Sequence, residues 1–353
     1  MDNRYFSKKV VEWYEENKRN LPWRNTKNPY KVWLSEIILQ QTRVNQGLPY
    51  YRNFVREFPT VHDLAGAPLQ KVLRLWQGLG YYTRARNLHK AAKTVAENFN
   101  GKFPESFVAL KQLPGVGDYT AAAIASISFG EAVAVVDGNV FRVLARVFGV
   151  DKPINTPGGK KHFFELANTL LGNANPALFN QAVMEFGALH CTPKNPLCET
   201  CVFRASCVAY KHDAQHLLPV KLTTKKNRKR YFNYYVIKSN QSLLMNIRNG
   251  KDIWTGLYDF YLIENNRATN PEKAFDENPF LKKIQSQITA KEISTTYKHV
   301  LSHQTIYARF ALITLKKKPA ALPERLRFYS VKKVSELPKP VLIGRFLHDF
   351  GLL

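Results

Sequence analysis

The chain has 353 residues, four cysteines and a net charge of +25 at pH 7. This length accommodates two domains, each with its own hydrophobic core. So large a positive excess favours a polyanionic partner such as DNA or RNA over a basic protein with no nucleic-acid role. The sequence contains no apolar run long enough to span a membrane, and the charged N-terminus lacks the apolar segment of a signal peptide. These features predict a soluble, cytoplasmic protein, with a monomer as the default.

The first two-thirds of the chain has helical patterns and no convincing strand pattern before residue 230. Residues 4–19 have apolar side chains at helical spacing. The run that begins near Tyr30 leaves no clean polar face, which predicts a buried helix. Glu36 lies inside that run, and burial would raise the pKa of its carboxyl group and keep it protonated near neutral pH. Further helices are predicted at 49–58, 69–77, 83–99, 107–110, 121–128, 140–148, 159–171 and 179–189.

A glycine turn, LPGVG at 113–117, precedes the alanine-rich helix at 121–128. Backbone N–H groups at the start of such a helix point outward and suit a phosphate. Gly115 and Gly117 carry no Cβ, so another backbone can approach them closely. The sequence therefore predicts an anion-binding hairpin here.

Asp137 follows the apolar run 132–136 and precedes the helix at 140–148. Taken alone it is best interpreted as an ordinary N-cap. A helix N-terminus would also lower the pKa of this carboxyl group and hold it ionised. An ionised Asp137 paired with a neutral Glu36 would suit glycosidic bond cleavage: one carboxyl group protonates the leaving group, and the other stabilises a cationic sugar.

All four cysteines fall in one short segment, at Cys191, Cys198, Cys201 and Cys207. In a reducing compartment such a cluster indicates a metal site rather than disulfides. The spacing C-x6-C-x2-C-x5-C suits either one zinc ion or one [4Fe–4S] cluster, and spacing alone leaves both open.

Residues 211–230 are polar and strongly basic. They predict an interdomain linker, which either follows a phosphate backbone or is a solvated tether. From residue 231 the pattern becomes strand-like, which predicts a smaller α+β domain at 231–353. The strand-like runs are 230–240, 242–250, 256–264 and 295–315, and helices are predicted at 275–287 and 342–350.

These motifs together resemble the helix-hairpin-helix DNA glycosylases, whose signature is LPGVG, a helix, and an Asp after an apolar segment. The cysteine spacing after such a domain resembles the cluster loop of the endonuclease III superfamily, which implies a structural [4Fe–4S] cluster on the four cysteines. The implied fold is mainly α. A helical glycosylase domain at 1–210 has a six-helix module at about 29–136 and a cluster module at 1–28 plus 137–210. A basic linker and a Nudix-like domain follow.

The position two residues after the second glycine separates two kinds of glycosylase. Endonuclease III-type enzymes carry a Lys there that forms a Schiff base with the sugar. This chain has Tyr119, which implies a monofunctional glycosylase. With WLSEIILQQTRV, GLGYYTRARNLH and VVDGNVFRV, the chain closely resembles the MutY family of adenine DNA glycosylases. That family removes adenine mispaired with 8-oxoguanine from duplex DNA, and the base must be flipped out of the stack.

The resemblance implies a role for each matching residue. Glu36 would protonate adenine at N7. Asp137 would stabilise or transiently trap the sugar cation, supported by Tyr119 and Asn139. The adenine pocket would be lined by Trp23 and Arg24, and the duplex around the lesion would be probed by Gln41, Thr42, Leu79 and Tyr81, the last as an intercalating wedge. Without the resemblance, Trp23 and Leu79 would be interpreted as core, Gln41 and Thr42 as surface, and Tyr81 as a packing aromatic.

Residues 253–260, IWTGLYDF, resemble part of a Nudix fold. The carboxylate-rich box of active Nudix hydrolases does not follow, so pyrophosphohydrolase activity is not expected. In the MutY family this domain recognises 8-oxoguanine through a loop close to Phe-Ser-His. Here the loop is Leu301-Ser302-His303, with a smaller apolar residue first, and Ser302 would contact the damaged base. His299 and His303 are not expected to bind a metal, because their neighbours have a strand-like pattern.

Two rival hypotheses remain at this stage. A bifunctional pyrimidine-lesion glycosylase/lyase is disfavoured by Tyr119 and by the C-terminal domain. A non-catalytic DNA-damage binding module would use the cluster for redox signalling and would lose nothing on replacement of Glu36 and Asp137. The favoured partner is duplex DNA with an A:8-oxoguanine or A:G mispair, which would place the protein at the nucleoid if it is bacterial.

Overall fold

The computed structural model describes residues 2–223 and 228–353, and the chain divides into two compact units. The first unit is Met1–Gly66 with Asn87–Thr223, and the second is Ala67–Arg86 with Thr224–Leu353. Residues 67–86, which the sequence analysis placed in the helical domain, thus belong to the same compact unit as the C-terminal residues. Within the described ranges, no helix is long and apolar enough to cross a membrane.

The described residues before position 224 form helices and no strand, as the sequence predicts. A short 3₁₀ turn, Pro22–Arg24, follows the first helix. The α-helices are α1 Asn3–Asn17, α2 Pro29–Leu39, α3 Val44–Glu57, α4 Val61–Gly66, α5 Leu69–Leu75, α6 Thr83–Asn98, α7 Phe107–Leu110, α8 Asp118–Phe129, α9 Gly138–Phe148, α10 Pro157–Leu171, α11 Pro176–Leu189 and α12 Val208–Lys211.

Helix α3 begins earlier than predicted. It begins at Val44, five residues before Pro49, which lies inside the helix. Proline is best tolerated in the first helical turn, so a helix that continues through Pro49 from Val44 is unusual. The short helices α4 and α12 were not predicted, since so few residues hold no clear helical period.

The first unit has a hydrophobic core in which α1, α9, α10 and α11 meet. Phe6 of α1 stacks on Phe203, with ring centroids 4.9 Å apart. Trp13 of α1 meets Phe186 of α11 edge-on, also at 4.9 Å. Phe6 also contacts Phe148 of α9, with ring centroids 5.3 Å apart. These rings fix α9 and α11, which carry candidate site residues.

The second unit contains the described strands, which lie in one sheet. The strands are β1 Arg228–Ser239, β2 Ser242–Ile247, β3 Tyr258–Asp259, β4 Tyr261–Asn265, β5 Ile288–Ile293, β6 Tyr297–Val300, β7 Gln304–Leu315 and β8 Leu326–Ser330. Strands β3, β2, β1, β7 and β5 are neighbours in that order, while β4 pairs with β1, β6 with β7 and β8 with β2. Strand β1 is parallel to β7, and the other pairs are antiparallel.

Four helices accompany this sheet: α13 Pro271–Asp276, α14 Pro279–Ile284, α15 Val331–Glu336 and α16 Val341–Asp349. The single helix predicted at 275–287 is wrong. The segment instead forms two helices, α13 and α14, and between them Asn278 precedes Pro279 and caps α14. A residue before proline disfavours helical geometry, which explains the break. Strands β5 and β8 and helix α15 were not predicted.

The basic segment predicted as a linker at 211–230 is only partly described. Residues 212–223 contain no helix or strand. Residues 224–227 lie outside the described residues, and β1 begins at Arg228, inside the predicted linker.

Candidate active site

A cavity of about 190 Å³ in the first unit brings together seven of the predicted site residues. A second cleft, of about 880 Å³, shares two of them and adds Gln41 and Gly117. The seven residues are Trp23, Arg24, Glu36, Thr42, Tyr119, Asp137 and Asn139.

Glu36 lies on α2, whose N-terminus is capped by the Asn28 side chain. Its carboxyl group is buried, and burial raises its pKa to about 7, with a smaller increase from the negative charge of Asp137. The Tyr119 hydroxyl donates a 2.5 Å hydrogen bond to Glu36 Oε2. This bond favours the ionised form and only partly offsets the effect of burial on the pKa. The predicted increase in the pKa of Glu36 is confirmed.

Asp137 is the N-cap of α9, as the sequence indicates. Its Oδ1 accepts 2.8 Å hydrogen bonds from the backbone N–H groups of Asn139 and Val140, and Oδ2 accepts from the Asn139 side-chain amide. Burial nevertheless raises the pKa of this carboxyl group, against these hydrogen bonds. The expectation of a lowered pKa is therefore wrong: removal from water outweighs the helix N-terminus.

Asn139 is itself held in place by Arg142 on the next turn of α9. The Arg142 guanidinium donates to Asn139 Oδ1 at 3.0 Å and to the carbonyl oxygen of Gly187 at 2.6 Å. Its Nε donates to the carbonyl oxygen of Cys191. One buried arginine thus connects the Asp137 cap with the first residue of the cysteine segment.

Glu185 of α11 is a site residue that the sequence analysis missed. It is buried, and its two oxygens accept hydrogen bonds of 2.6–2.8 Å from the side chains of Arg24 and Arg19. Burial alone would raise its pKa, but these two guanidinium groups hold it down at about 2. The signal was a lone carboxylate inside the apolar helix at 179–189, the same signal that identified Glu36.

Replacing Glu185 with Gln is expected to lower the free energy of unfolding by about 3 kcal/mol, because two guanidinium groups lose their buried counter-ion. Urea unfolding at pH 7 measures this loss. Glu12→Gln is the control, since Glu12 pairs with Lys9 at an exposed site, and it should leave the free energy of unfolding nearly unchanged. Equal effects of the two substitutions would contradict a structural ion cluster at Glu185.

The two glycines of the hairpin differ in what surrounds them. Gly115 has φ +77°, and a Cβ there would lie 2.6 Å from Asn87 Cβ, so glycine is required. A Cβ at Gly117 would meet nothing within 4 Å. The space at Gly117 is therefore open at the N-terminus of α8, in the large cleft that Lys160 and Lys161 also line.

The four cysteines line one small cavity and are free thiols. Burial raises the pKa of Cys191 and Cys207, and that of Cys201 to about 12. The Arg146 guanidinium lies 3.5 Å from Cys191 Sγ. As placed, no group of three His, Cys, Asp or Glu among the described residues could hold a metal ion. Four thiols around one cavity are still the donor set that an iron–sulfur cluster uses.

Two residues predicted to probe the duplex, Leu79 and the wedge Tyr81, belong to the second unit. Leu79 is only 6% exposed, so the structure places it inside the fold, whereas Tyr81 is 45% exposed. Tyr81 also has a φ of +47°, which non-glycine residues seldom adopt.

Ser302 and His303 lie in the short turn between β6 and β7 and are exposed. Ser302 Oγ and His303 Nδ1 are 3.1 Å apart. His299 is on β6, where its ring contacts Trp254. The strand-like pattern predicted around His299 is confirmed.

Comparison with known proteins assigns both parts of the chain. Residues 34–166 match the model of the HhH-GPD superfamily base excision DNA repair proteins. Residues 233–349 match the NUDIX domain model.

Curated relatives match most of the chain. An adenine DNA glycosylase of Buchnera aphidicola subsp. Schizaphis graminum is 35% identical over 95% of this chain and 96% of its own length. That of subsp. Baizongia pistaciae is 35% identical over 86% of this chain and 84% of its length. The human adenine DNA glycosylase is 44% identical over 60% of this chain and 41% of its own.

Two solved structures resemble the chain. A thermostable thymine-DNA glycosylase has 31% identity and a TM-score of 0.56 over 60% of this chain and 97% of its own. An endonuclease III in a non-covalent complex with DNA has a TM-score of 0.52 at 22% identity, over 60% of this chain and 98% of its own, which supports the fold alone.

The helical fold, the glycine hairpin and the paired carboxyl groups define a helix-hairpin-helix DNA N-glycosylase, an enzyme that hydrolyses N-glycosyl bonds. It carries a Nudix-like C-terminal domain. Within that class, the chain belongs to the MutY family of adenine DNA glycosylases.

Proposed function

We propose that this enzyme removes adenine mispaired with 8-oxoguanine, or with guanine, from duplex DNA and leaves an abasic site. The observation that carries the proposal is a buried carboxyl group with a pKa of about 7, bonded to Tyr119 and lining one cavity with Asp137. A proton donor and a carboxylate facing one small cavity suit acid-assisted cleavage of an N-glycosyl bond.

Glu36 supplies the proton. Its Oε2 accepts from Tyr119, so the acid proton resides on Oε1 and is directed to N7 of a flipped adenine. Burial raises the pKa of the Tyr119 hydroxyl well above its usual value of 10, so this group remains a donor throughout. Protonated adenine then departs with the electron pair of the C1′–N9 bond.

Asp137 stabilises the sugar cation that this departure creates. Each hydrogen bond to its carboxyl group is donated by Asn139 or Val140, an arrangement that suits an anion. A cation formed beside it in a site removed from water is stabilised more strongly than in solution. Water then adds to C1′ and releases a proton, which completes hydrolysis.

Trp23, Arg24 and Glu185 form the wall of the base pocket. Trp23 is buried against Tyr51, with ring centroids 5.1 Å apart, and offers an apolar surface. Arg24 is fixed by Glu185 and presents its guanidinium at a set position. A fixed polar group beside an aromatic wall recognises one base edge with little loss of side-chain entropy.

The enzyme is monofunctional, because Tyr119 occupies the position of the lyase lysine and its phenol cannot form a Schiff base. The lesion strand is recognised by the turn that carries Ser302 and His303, with Tyr81 inserted into the duplex. The open space at Gly117 and the N-terminus of α8 accept a DNA phosphate.

A [4Fe–4S] cluster would be held by Cys191, Cys198, Cys201 and Cys207, and it would have a structural role. The support is their shared cavity and their free thiols. Thiolates are the ligands of such clusters, and metal binding would displace the protons that burial retains.

A single-turnover assay on duplex DNA with one adenine opposite 8-oxoguanine tests the function. Strand breaks that appear only after alkali are expected, since base removal leaves an intact abasic strand. Breaks without alkali would indicate a Schiff-base lyase. Binding without breaks in either condition would indicate a non-catalytic damage-binding protein. Adenine opposite guanine, thymine or cytosine in the same duplex measures the specificity.

A further inference from the structure

The loop that carries Leu79 and Tyr81 packs around Arg84, which is half-buried. Arg84 Nη2 donates to the carbonyl oxygens of Leu79 and Gly80, at 3.3 and 3.4 Å. The Arg84 guanidinium lies 5.0 Å from the Trp76 ring and 5.7 Å from the Tyr81 ring. Burial lowers its pKa to about 10, so Arg84 remains charged at neutral pH. These contacts stabilise Tyr81 in its left-handed backbone conformation.

Both ends of the loop are bound to the backbone of one residue of the C-terminal region, Lys339. Lys339 N donates to Gln77 Oε1 at 3.2 Å, just before the loop. The Tyr82 hydroxyl donates to the carbonyl oxygen of Lys339 at 3.4 Å, just after it. Lys339 is buried. A clamp at both ends restricts how far the exposed Tyr81 can move.

The helices on either side of the loop are bound to a second C-terminal element, the turn 254–256. Gln70 of α5 donates to the carbonyl oxygen of Gly256, and Arg86 of α6 donates to that of Thr255 at 2.8 Å. A Cβ at Gly256 would lie 3.2 Å from Leu73 of α5.

The same turn also contacts the sheet. Trp254, in a left-handed conformation with φ +63°, packs against Phe232 of β1 and His299 of β6. Strand β6 leads directly into the turn with Ser302 and His303. The exposed Tyr81 and the Ser302–His303 turn are thus supported by one continuous set of contacts within the second unit.

We infer that the C-terminal Nudix-like domain positions the Tyr81 wedge, with Arg86 and Tyr82 as positioning residues. This inference rests on the proposed function. Recognition of the lesion and insertion of the wedge are then one event, because both groups are fixed to the same compact unit. Correct placement of Tyr81 sets the rate at which a paired adenine is unstacked, and has little effect on the chemistry at Glu36.

The test uses the whole chain described above with the double substitution Tyr82→Phe and Arg86→Met, which removes two of these hydrogen bonds and keeps similar volumes. Lys90→Met, at an exposed position on α6, is the matched control, and Tyr81→Ala reports loss of the wedge. Two duplexes are compared: adenine opposite 8-oxoguanine, and adenine opposite an abasic analogue, where little unstacking is needed. 2-Aminopurine next to 8-oxoguanine reports wedge insertion by its fluorescence.

The double variant is expected to lose about tenfold in single-turnover rate on the 8-oxoguanine duplex, the effect of one or two ordinary hydrogen bonds. Its rate on the abasic duplex should change less than about twofold, and its 2-aminopurine signal should fall towards that of Tyr81→Ala. Equal losses on both duplexes would indicate a general structural defect and overturn the inference. Wild-type rates and fluorescence in the double variant would also overturn it, as would normal fluorescence in Tyr81→Ala. If the wild-type enzyme releases no adenine from either duplex, the proposed function itself is wrong.

Discussion

Replacing Glu36 with Gln is expected to lower the single-turnover rate of adenine release by about a thousandfold, while duplex binding changes less than about twofold. Glutamine has the same shape, and its amide oxygen can still accept the hydrogen bond from Tyr119. It has no proton to transfer to the leaving base. Rapid-quench assays with saturating enzyme measure the rate, and electrophoretic mobility shifts measure binding. Glu97→Gln, at an exposed position, is the matched control.

The pH dependence of the wild-type rate should have a descending limb. The acid must be protonated to act, and burial raises the pKa of Glu36 to about 7. Above that pH the protonated fraction, and with it the rate, falls about tenfold per pH unit. A flat rate between pH 6 and 9 would contradict the assignment of Glu36 as the acid.

Glu36→Gln should also stabilise the fold at high pH. The pKa of Glu36 is higher in the folded enzyme, about 7, than its ordinary value of 4.5. The folded state therefore holds the proton more strongly, and this contribution to stability is complete below about pH 4.5 and lost as pH rises through about 7. At pH 8.5 Glu36→Gln should be more stable than wild type by up to about 3 kcal/mol. Urea unfolding at pH 6 and 8.5 measures the change, and no gain at the higher pH would contradict the raised pKa.

Local sequence patterns predicted the helices well where the apolar repeat continues over several turns. The buried helix α2 is one such case, and its lack of a polar face was enough to indicate a raised pKa for Glu36. The N-cap at Asp137 was also predictable, because the residue type and the helix that follows are adjacent in sequence.

Properties that depend on the packing of distant segments were not predictable. The pKa of Asp137 is set by burial among residues far apart in the chain, whereas the sequence shows only its helix. Glu185 becomes a site residue through Arg19 and Arg24, more than 160 positions away. The placement of residues 67–86 in the second unit likewise rests on contacts with Gly256 and Lys339.

Replacing Asp137 with Asn is expected to lower the rate of adenine release by about a thousandfold through loss of the negative charge beside the sugar cation. The fold should be preserved, because Asn is as good an N-cap as Asp. One hydrogen bond is lost. In the wild type the Asn139 side-chain amide donates to Asp137 Oδ2, and in the variant this position is an NH₂ group, which cannot accept. Loss of this hydrogen bond costs about 1 kcal/mol. Because burial raises the pKa of Asp137, removing its charge offsets part of that cost at neutral pH.

Comparing Asp137→Asn with Asp137→Ala distinguishes the effect of the negative charge from that of the helix cap. The Ala variant lacks both, so its rate should match that of Asp137→Asn while its free energy of unfolding falls further, by about 1 kcal/mol. The negative charge of Asp137 contributes to the raised pKa of Glu36, so in the Asn variant that pKa should be lower and the residual rate should begin to fall at a lower pH. Near-wild-type turnover in Asp137→Asn would show that capping is the whole role of this residue. A slow variant with an unshifted pH profile would show that Asp137 carries no charge in the free enzyme, and that it ionises only when the sugar cation forms beside it.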